Sequence, residues 1–379
     1  MPTTTCRHAA RAWISGALTH GCDIGSMSNG QLLQETSPAA MAEVTLSRRA
    51  RTRTLRGVQV LATGSYLPSE VVTNQDLSQR NGFDADWVYQ RTGIRSRRHA
   101  SPHEATSDLC YEAALACLES ARVDRSEIDL VVVGTFTPDM CFPSTACLLQ
   151  NRLGLTAAAM DLQAACAGFM YALVTGAQFV ATGCSRLALV VGGDCNSRII
   201  NPQDQKTYPL FGDGAGAVLL GRGSKDQGLL AYQLGADGAG GDLLCRPACG
   251  SRMPPTPEAL AEGLHYMHMD GKAVFKWAIN ILNDSIEEVL RAAELDVSDV
   301  ALLIPHQANI RIIRAAASAL NFKPERIFNN LDRYGNTSAG SIPIALDEAA
   351  SAGLLQRGDA VLISGFGAGL AWGTAVLRW

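Results

Sequence analysis

A cysteine lies where an apolar, strand-like segment is followed by a helical pattern. Residues 155–162 are short and apolar enough for a buried strand, and apolar side chains recur at helical spacing from Phe169 to Val180. The small residues around Cys166 allow a tight turn, which would place its thiol at the start of the helix. The helix dipole and the free backbone N–H groups there favour a thiolate, the nucleophilic form of cysteine. A buried structural cysteine is the alternative that this residue alone leaves open.

A histidine and an asparagine interrupt a second apolar junction of the same kind. Pro305-His-Gln-Ala-Asn309 follows the apolar run 300–304 and precedes a helix-like segment. A single histidine is most often a structural or surface residue. His306 and Asn309 stand together at a strand end, however, where the scaffold holds the backbone in place. We therefore interpret this junction as part of a reactive site.

Two further segments supply an amide side chain and backbone amides. Asn336 precedes Thr337 and Ser338, either of which could cap the next helix, and by itself Asn336 could be only a turn residue. Gly365-Phe-Gly-Ala-Gly369 permits a turn in which backbone N–H groups converge. In a phosphate-binding loop the glycines would be followed by Lys and then Ser or Thr, and these residues do not follow this segment. Two interpretations therefore stay open, an oxyanion-binding loop and a structural turn.

Cysteine, histidine and asparagine on separate strand–helix junctions suit thioester chemistry. A thiolate can attack an acyl thioester while backbone N–H groups stabilise the tetrahedral oxyanion. Histidine and asparagine side chains can donate hydrogen bonds to a second oxyanion, such as an enolate. This combination serves the formation of a carbon–carbon bond more than hydrolysis.

The elements that carry these residues occur twice in the chain. Apolar strands alternate with helices in the same order in both halves, and Cys166-Ala-Gly-Phe matches Ser338-Ala-Gly-Ser. We therefore predict two α/β halves, residues 57–225 and 226–379, packed as layers in the order α/β/α/β/α. A site between them would collect residues from both halves, so the Asn336 segment would enter it opposite the cysteine turn.

The composition narrows the classes of function. The chain of 379 residues has a formal net charge of −4, which gives no reason to expect a nucleic acid as partner. The 11 cysteines show no regular short spacing, so we interpret them as free thiols in a reducing, cytoplasmic location. Cys245, Cys249, His265 and His268 fit no standard zinc spacing, and no metal site is predicted. No run approaches the roughly 18 apolar residues of a membrane span, and no membrane association is predicted.

Residues 1–56 differ from the rest of the chain. They contain seven arginines against three acidic residues, many small polar residues and little periodicity. We predict a disordered extension, or a start codon placed too early with Met27 or Met41 as the real beginning. An organelle transit peptide is also compatible with this composition.

Taken together, the motifs closely resemble the β-ketoacyl-acyl carrier protein synthase III family, the initiating condensing enzymes of fatty acid synthesis in the thiolase superfamily. The resemblance runs from about Val58 to Trp379 and implies a thiolase-like, duplicated α/β fold. The motifs that carry it are Arg91-Thr-Gly-Ile-Arg95, Phe142-Pro-Ser, Ala164-Ala-Cys-Ala-Gly-Phe, Phe211-Gly-Asp-Gly-Ala-Gly, His306-Gln-Ala-Asn, Gly335-Asn-Thr-Ser and Gly365-Phe-Gly-Ala-Gly.

The resemblance implies a role for each residue of the reactive set. Cys166 would be the acylated nucleophile, while His306 and Asn336 would promote decarboxylation of a malonyl group and hold the enolate. The backbone N–H groups of Cys166 and Ala368 would form the oxyanion hole; the family commonly has glycine at the second position, and alanine donates the same N–H. The asparagine separates this family from elongating synthases, which use a second histidine, and from thiolases, which use a second cysteine.

The resemblance also implies a coenzyme A tunnel, a docking surface and a homodimer. Well-studied members carry an arginine for adenine and phosphate where this sequence has Gln205, with Lys206 beside it. Phe142 would cross the dimer interface to close the acyl pocket of the partner subunit, and Leu210 would lie near the pocket floor. The tunnel residues would be Trp87, Arg91, Gly271, Phe275 and Asn309, and the acyl carrier protein would dock on Lys276, Arg311 and Arg314.

The predicted activity is that of an acyltransferase. An acyl-coenzyme A primer, with acetyl as the expected group, would acylate Cys166 and condense with malonyl-acyl carrier protein, without a metal or redox cofactor. Two alternatives remain. The same triad could serve secondary metabolism, in starter-unit condensation or acyl transfer to an oxygen or nitrogen acceptor, or the fold could be a non-catalytic acyl-carrier-binding protein.

Overall fold

The computed structural model describes residues 50–379, and the predictions for residues 1–49 lie outside this range. The strands are β1 (Arg53–Arg56), β2 (Val58–Tyr66), β3 (Glu70–Thr73), β4 (Ser96–His99), β5 (Ile128–Gly134), β6 (Ala158–Leu162), β7 (Leu187–Asp194), β8 (Gly214–Arg222), β9 (Gly228–Ala236), β10 (Leu244–Cys245), β11 (His268–Met269), β12 (Val300–Pro305), β13 (Ala360–Gly367) and β14 (Ala371–Arg378). The α-helices are α1 (Asn74–Asn81), α2 (Ala85–Thr92), α3 (Thr106–Ala121), α4 (Thr145–Arg152), α5 (Gly168–Thr182), α6 (Pro257–Ala261), α7 (Gly271–Ala293), α8 (Ile310–Ala319), α9 (Leu331–Tyr334) and α10 (Ser341–Ser351).

Two mixed five-stranded sheets carry the fold, and their strand orders correspond. The N-terminal sheet runs β2-β8-β7-β5-β6, and the C-terminal sheet runs β1-β9-β14-β13-β12. If β9 is placed on β2, then β14, β13 and β12 fall on β8, β7 and β5, with the same parallel and antiparallel pairings. Ile327 bridges to Leu303 in the position that β6 takes beside β5. The duplicated α/β fold predicted from the sequence is therefore confirmed.

The helices form three layers around the two sheets. Helices α3 and α4 pack on the outer face of the N-terminal sheet, where Leu109 and Leu149 meet Val131 in one buried cluster. Helices α5 and α10 lie between the sheets and share a second cluster with β-branched side chains of both. Helices α7 and α8 cover the outer face of the C-terminal sheet. The layer order is α/β/α/β/α, as the alternation of apolar strands and helices predicts.

Strand β1 lies within residues 1–56, the segment that we predicted to be an N-terminal extension. Residues Arg53, Leu55 and Arg56 of β1 pair antiparallel with β9. The Gln233 side chain of β9 also donates a hydrogen bond to the Ala50 carbonyl, at 2.8 Å. Within β1 only Leu55 is partly buried, so the strand has almost no apolar signal in the sequence. The extension predicted for residues 1–56 was therefore drawn too far along the chain.

A second difference concerns the apolar helix after the cysteine. Residues 165–182 are long and apolar enough to cross a membrane, judged by length and composition, which corrects the expectation that no run approaches that length. In the fold 67% of this stretch is buried inside the protein. Helix α5 lies between two sheets and is therefore apolar on nearly every side, as a central core helix must be.

Candidate active site

The structure brings Cys166, His306 and Asn336 together around one cavity of about 90 Å³. Cys166 lies in a single helical turn that precedes α5, and His306 follows the last residue of β12. Asn336 comes just before the short turn that leads into α10. All three residues are buried, so reactants here would be shielded from bulk water. The two halves of the duplicated fold thus each contribute to the same cavity.

The backbone before Cys166 has an unusual conformation that recurs in the other half. Ala165 has φ of 45° and Ser338 has φ of 51°, although neither is glycine. Each begins a three-residue turn that runs directly into α5 or α10. By this geometry Ala165 corresponds to Ser338, and Cys166 corresponds to Ala339. The match of Cys166 with Ser338, made on residue letters, is therefore wrong by one position.

The environment of the thiol differs from the sequence-based expectation. Burial raises the pKa of Cys166 to about 12, and the charge of Asp194 acts in the same direction. A hydrogen bond with Ser338 and the residue's own backbone amide lower the pKa, but by less than burial raises it. The predicted preference for thiolate at the helix start is thus outweighed by burial in the resting protein. At neutral pH Cys166 is a thiol that must lose its proton when it reacts.

His306 is a neutral imidazole held by its neighbours. Burial lowers its pKa to about 3, so it carries no charge at neutral pH. Its backbone N–H donates to the Ser364 carbonyl at 2.7 Å, which extends the pairing of β12 with β13. Its Nδ1 lies 3.0 Å from the Ser341 hydroxyl, and the ring meets Phe366 edge-on with centroids 5.2 Å apart. A neutral imidazole fixed in this way can donate a hydrogen bond from one nitrogen only.

Asn336 is fixed so that its amide N–H₂ group stays available. Its backbone N–H donates to the Leu210 carbonyl at 2.8 Å, and its carbonyl accepts from the Gly212 N–H at 3.0 Å. Its side-chain Oδ1 accepts from the Ser338 N–H at 2.9 Å. Thr337 and Ser338 make no side-chain cap to the following helix, in contrast to the expectation. The Asn336 Nδ2 makes no hydrogen bond to the residues that the structure describes, and the residue lines the cavity.

Glycine at the end of β13 permits a close approach to the cysteine turn. A Cβ placed on Gly367 would lie 2.7 Å from the Cys166 backbone nitrogen, closer than real Cβ contacts come. The next residue, Ala368, is not among the described residues with positive φ, so alanine fits there without strain. The segment 365–369 therefore continues a strand against the cysteine turn before it bends.

A larger cavity of about 410 Å³ opens beside the first. The two cavities share several lining residues, among them Leu210, Gly271, Phe275 and Asn309, so together they form a passage towards Cys166. Asn309 caps α8 through the Arg311 N–H at 2.9 Å, and its Nδ2 donates to the Arg91 carbonyl at 3.3 Å. The outer cavity is also lined by Trp87, Arg91, Thr92, Gln205, Lys206, Pro209, Met269, Lys272 and Arg311.

The remaining predicted residues lie at the rim of the outer cavity or line neither cavity. Phe142 is 84% exposed and lines neither of them. Lys276 and Arg314 are exposed on α7 and α8, and Arg311 places its guanidinium over the Phe275 ring at 5.4 Å. Lys206 and Gln205 are exposed at the rim of the outer cavity. The structure thus places the predicted tunnel residues together and the predicted docking residues beside them.

Sequence reasoning missed the polar residues that support the site. Asp194 is buried at the end of β7 and accepts hydrogen bonds from Thr135, Thr137 and the Ala339 N–H. Burial raises the pKa of its carboxyl to about 6. Ser338 donates to Asn196 at 2.8 Å, and Ser341 contacts His306. No local motif marks these residues, because each contact joins segments far apart in the chain.

Comparisons with known proteins agree on one family. A family model described as 3-oxoacyl-[acyl-carrier-protein] synthase III matches residues 160–238, and the model of its C-terminal part matches residues 290–379. The chain is 56% identical over 343 residues to a β-ketoacyl-[acyl-carrier-protein] synthase III of Rhodopirellula baltica, which covers 86% of this chain and 99% of that protein. It is 50% identical over 323 residues to the synthase III of Desulfitobacterium hafniense, covering 85% and 98%.

Solved structures lead to the same family. The β-ketoacyl-[acyl carrier protein] synthase III of Thermus thermophilus superposes with a TM-score of 0.79 at 41% identity, covering 84% of this chain and 98% of that one. The priming β-ketosynthase of the R1128 polyketide pathway superposes with a TM-score of 0.79 at 35% identity, covering 87% and 98%. With such identity over nearly the whole length of its relatives, the chain belongs to the β-ketoacyl-[acyl-carrier-protein] synthase III family, the condensing acyltransferases of fatty acid biosynthesis.

Proposed function

We propose that the chain condenses an acyl-coenzyme A primer with malonyl-acyl carrier protein, with Cys166 carrying the acyl group. The observation that carries this proposal is the meeting of Cys166, His306 and Asn336 in one buried cavity that adjoins a larger, open one. The inner cavity is small, which favours a short primer such as acetyl.

Acylation is the first step. The Cys166 sulfur attacks the thioester carbonyl carbon and the C–S bond to coenzyme A breaks. The proton of the Cys166 thiol is balanced by the proton that the departing coenzyme A thiolate takes up, so coenzyme A leaves as the free thiol. The backbone N–H groups of Cys166 and Ala368 hold the oxyanion while the tetrahedral intermediate exists. The close contact between Gly367 and the cysteine turn supports this pairing, because it places the residue before Ala368 directly beside Cys166.

Condensation is the second step. The carboxylate of the malonyl group leaves as carbon dioxide, and the electron pair of the broken C–C bond forms an enolate of the carrier thioester. His306 and the Nδ2 of Asn336 donate hydrogen bonds to the enolate oxygen. The enolate carbon attacks the acyl-Cys166 carbonyl, Cys166 departs as a thiol after protonation, and the 3-ketoacyl product is released. Both acyl groups arrive activated as thioesters, so these steps require no metal or redox cofactor.

Primer and carrier would reach the site through the outer cavity. Trp87 offers a flat ring to the adenine, and the Arg91 guanidinium lies 5.8 Å from that ring. Lys206, beside Gln205, supplies a positive charge for a phosphate at the rim. The carrier protein would dock on the exposed cations of α7 and α8, namely Lys276, Arg311 and Arg314.

A homodimer in the cytoplasm completes the proposal. Phe142 and Met140 are large apolar side chains with 84% and 48% of their surface exposed, and such patches mark protein interfaces. Strand β6 lies at the open end of the N-terminal sheet, close in sequence to this loop. The nine cysteines of residues 50–379 are all free, which supports a reducing compartment.

Intact mass measurement tests the acyl intermediate. Incubation with acetyl-coenzyme A should add one acetyl group to the wild-type protein and none to Cys166→Ser. Cys147→Ser, which removes an exposed thiol, is the matched control and should still be acylated. An acetyl adduct that persists in Cys166→Ser would contradict the assignment.

One comparison favours a second candidate function. The R1128 relative is a priming β-ketosynthase of a polyketide pathway, so the same triad could select a starter unit for secondary metabolism. A panel of acetyl, isobutyryl and octanoyl thioesters, each offered with malonyl-acyl carrier protein, distinguishes the fatty acid function from starter-unit selection. Preference for acetyl supports the fatty acid function, and preference for a longer or branched primer supports the alternative.

A further inference from the structure

A buried serine contacts both His306 and the residue that follows it. Ser341 is the first residue of α10 and is 1% exposed. Its Oγ lies 3.0 Å from Nδ1 of His306 and accepts a hydrogen bond from the Gln307 N–H at 2.7 Å. The side chain therefore lies behind the imidazole, on the side opposite to Nε2.

The protons around Ser341 can be assigned from its partners. The Gln307 N–H already occupies one lone pair of Oγ, so the serine hydroxyl proton needs an acceptor of its own. Among the residues that the structure describes, the only hydrogen-bond acceptor in contact with Ser341 Oγ is Nδ1 of His306. The opposite arrangement, with the proton on Nδ1, would leave the hydroxyl proton buried and without a partner.

We propose that Ser341 is a positioning residue for condensation. Its hydroxyl donates to Nδ1 of His306 and so keeps the single imidazole proton on Nε2. In this tautomer Nε2–H is the donor that the enolate oxygen requires, whereas the other tautomer would present a lone pair to a negative charge. The proposal rests on the proposed function, in which His306 stabilises the enolate. Acylation depends on backbone amides instead, so Ser341 acts on the second step only.

The tautomer can be observed without any reaction. In protein with ¹⁵N-labelled histidine, the His306 signals, assigned by their absence in His306→Gln, should show Nε2 protonated and Nδ1 unprotonated but hydrogen-bonded. In Ser341→Ala the Nδ1 signal should shift towards that of a free or partly protonated nitrogen. A wild-type spectrum with the proton on Nδ1 would overturn the proposal. Because this readout needs no substrate, it stands even if the wild-type protein proves unable to condense malonyl-acyl carrier protein.

Half-reactions separate positioning from a general loss of structure. In Ser341→Ala, decarboxylation of malonyl-acyl carrier protein by the acyl-enzyme should fall about 10- to 100-fold, while acylation of Cys166 stays within about threefold of wild type. Ser341→Thr keeps the hydroxyl and should recover most of the lost rate. Ser285→Ala is the matched control, because Ser285 is equally buried and bonded to Thr374 at 2.7 Å, but lines neither cavity and does not contact the His306 side chain.

The outcomes of the kinetic experiment are distinct. Selective loss of decarboxylation with rescue by threonine supports the proposal. Equal loss of both half-reactions in Ser341→Ala would show a merely structural role and overturn it, as would an unchanged decarboxylation rate. If wild type is acylated but never condenses, the proposed function fails, and the spectra alone decide the role of Ser341.

Discussion

At Cys166, burial and the helix start act on the thiol in opposite directions. The desolvation of the side chain raises the pKa of Cys166 to about 12, and the hydrogen bond with Ser338 only moderates this effect. The sequence indicates that Cys166 lies at the start of a helix. It does not indicate that the thiol is buried, because the burial depends on segments from both halves of the chain. A resting thiol is less exposed to oxidation and alkylation than a thiolate, so the site is chemically quiet until a thioester enters.

Alkylation kinetics test this resting state. Because the thiolate is the reacting form, the rate of Cys166 modification by iodoacetamide should rise about tenfold per pH unit from about pH 7 to about pH 10, without a plateau. Peptide mapping by mass spectrometry separates Cys166 from exposed cysteines such as Cys141 and Cys184. A plateau below about pH 9 would mean that the helix start outweighs burial.

His306 should make the stability of the fold depend on pH. Its pKa is lowered to about 3 in the folded protein, below the value of about 6.5 in an unfolded chain. The unfolded state therefore binds the extra proton first, and stability is lost as pH falls through 6.5. Relative to His306→Gln, the wild-type free energy of unfolding should drop by about 2 kcal/mol between about pH 7 and about pH 5.

Denaturant titrations of wild type and His306→Gln at about pH 7 and about pH 5 measure this change in the free energy of unfolding. His103→Gln serves as the control, because that side chain is exposed to solvent in the folded protein. A constant difference between wild type and His306→Gln would contradict the neutral, buried imidazole.

At the scale of elements, strands and helices were predictable but their exact register was not. The apolar runs 155–162 and 300–304 indicated strands, and β6 and β12 begin and end within a few positions of them. The pairing of the two turns was one residue wrong, since identical letters in Cys166-Ala-Gly and Ser338-Ala-Gly suggested a match. Backbone conformation decides the correspondence instead, through the positive φ of Ala165 and Ser338. The contact of Ser341 with His306 could not be predicted, because it arises only when α10 packs against the end of β12.

The end of β13 should tolerate no side chain beside the cysteine turn. In Gly367→Ala the new methyl group would lie 2.7 Å from the Cys166 nitrogen, so either β13 or the turn must move. We expect a loss of about 1–3 kcal/mol in the free energy of unfolding and a slower acylation of Cys166. Urea titration and the rate of adduct formation measure the two effects.

Gly238→Ala is the control for that substitution. A Cβ at Gly238 would meet no atom within 4 Å, so its stability should change by less than about 0.5 kcal/mol. If Gly367→Ala were as stable as wild type and were acylated at the same rate, the end of β13 and the cysteine turn could move apart without consequence. That result would contradict the prediction.

At the scale of the whole molecule, the exposed loop around Phe142 should hold two subunits together. Phe142→Asp places a charge on the most exposed large apolar side chain of the described residues, and we expect it to shift the protein from dimer to monomer. Sedimentation velocity at several concentrations gives the measurement. Leu354→Asp, at a side chain that is 52% exposed in the loop between α10 and β13, should leave the dimer intact. A wild-type protein that sediments as a monomer would contradict the homodimer.

The arginine-rich strand β1 has a consequence for solubility. It is the outermost strand of the C-terminal sheet and occupies the side of β9 that would otherwise present unpaired backbone N–H and C=O groups. Unpaired edges of this kind recruit strands from other chains and lead to aggregation, and charged side chains on the last strand oppose such pairing. Arg53 and Arg56 are exposed on β1. The exposed arginines, which contribute to the transit-peptide-like composition of residues 1–56, thus oppose edge-to-edge pairing of this sheet with other chains. A chain that began at Met41 would still contain β1 and these arginines.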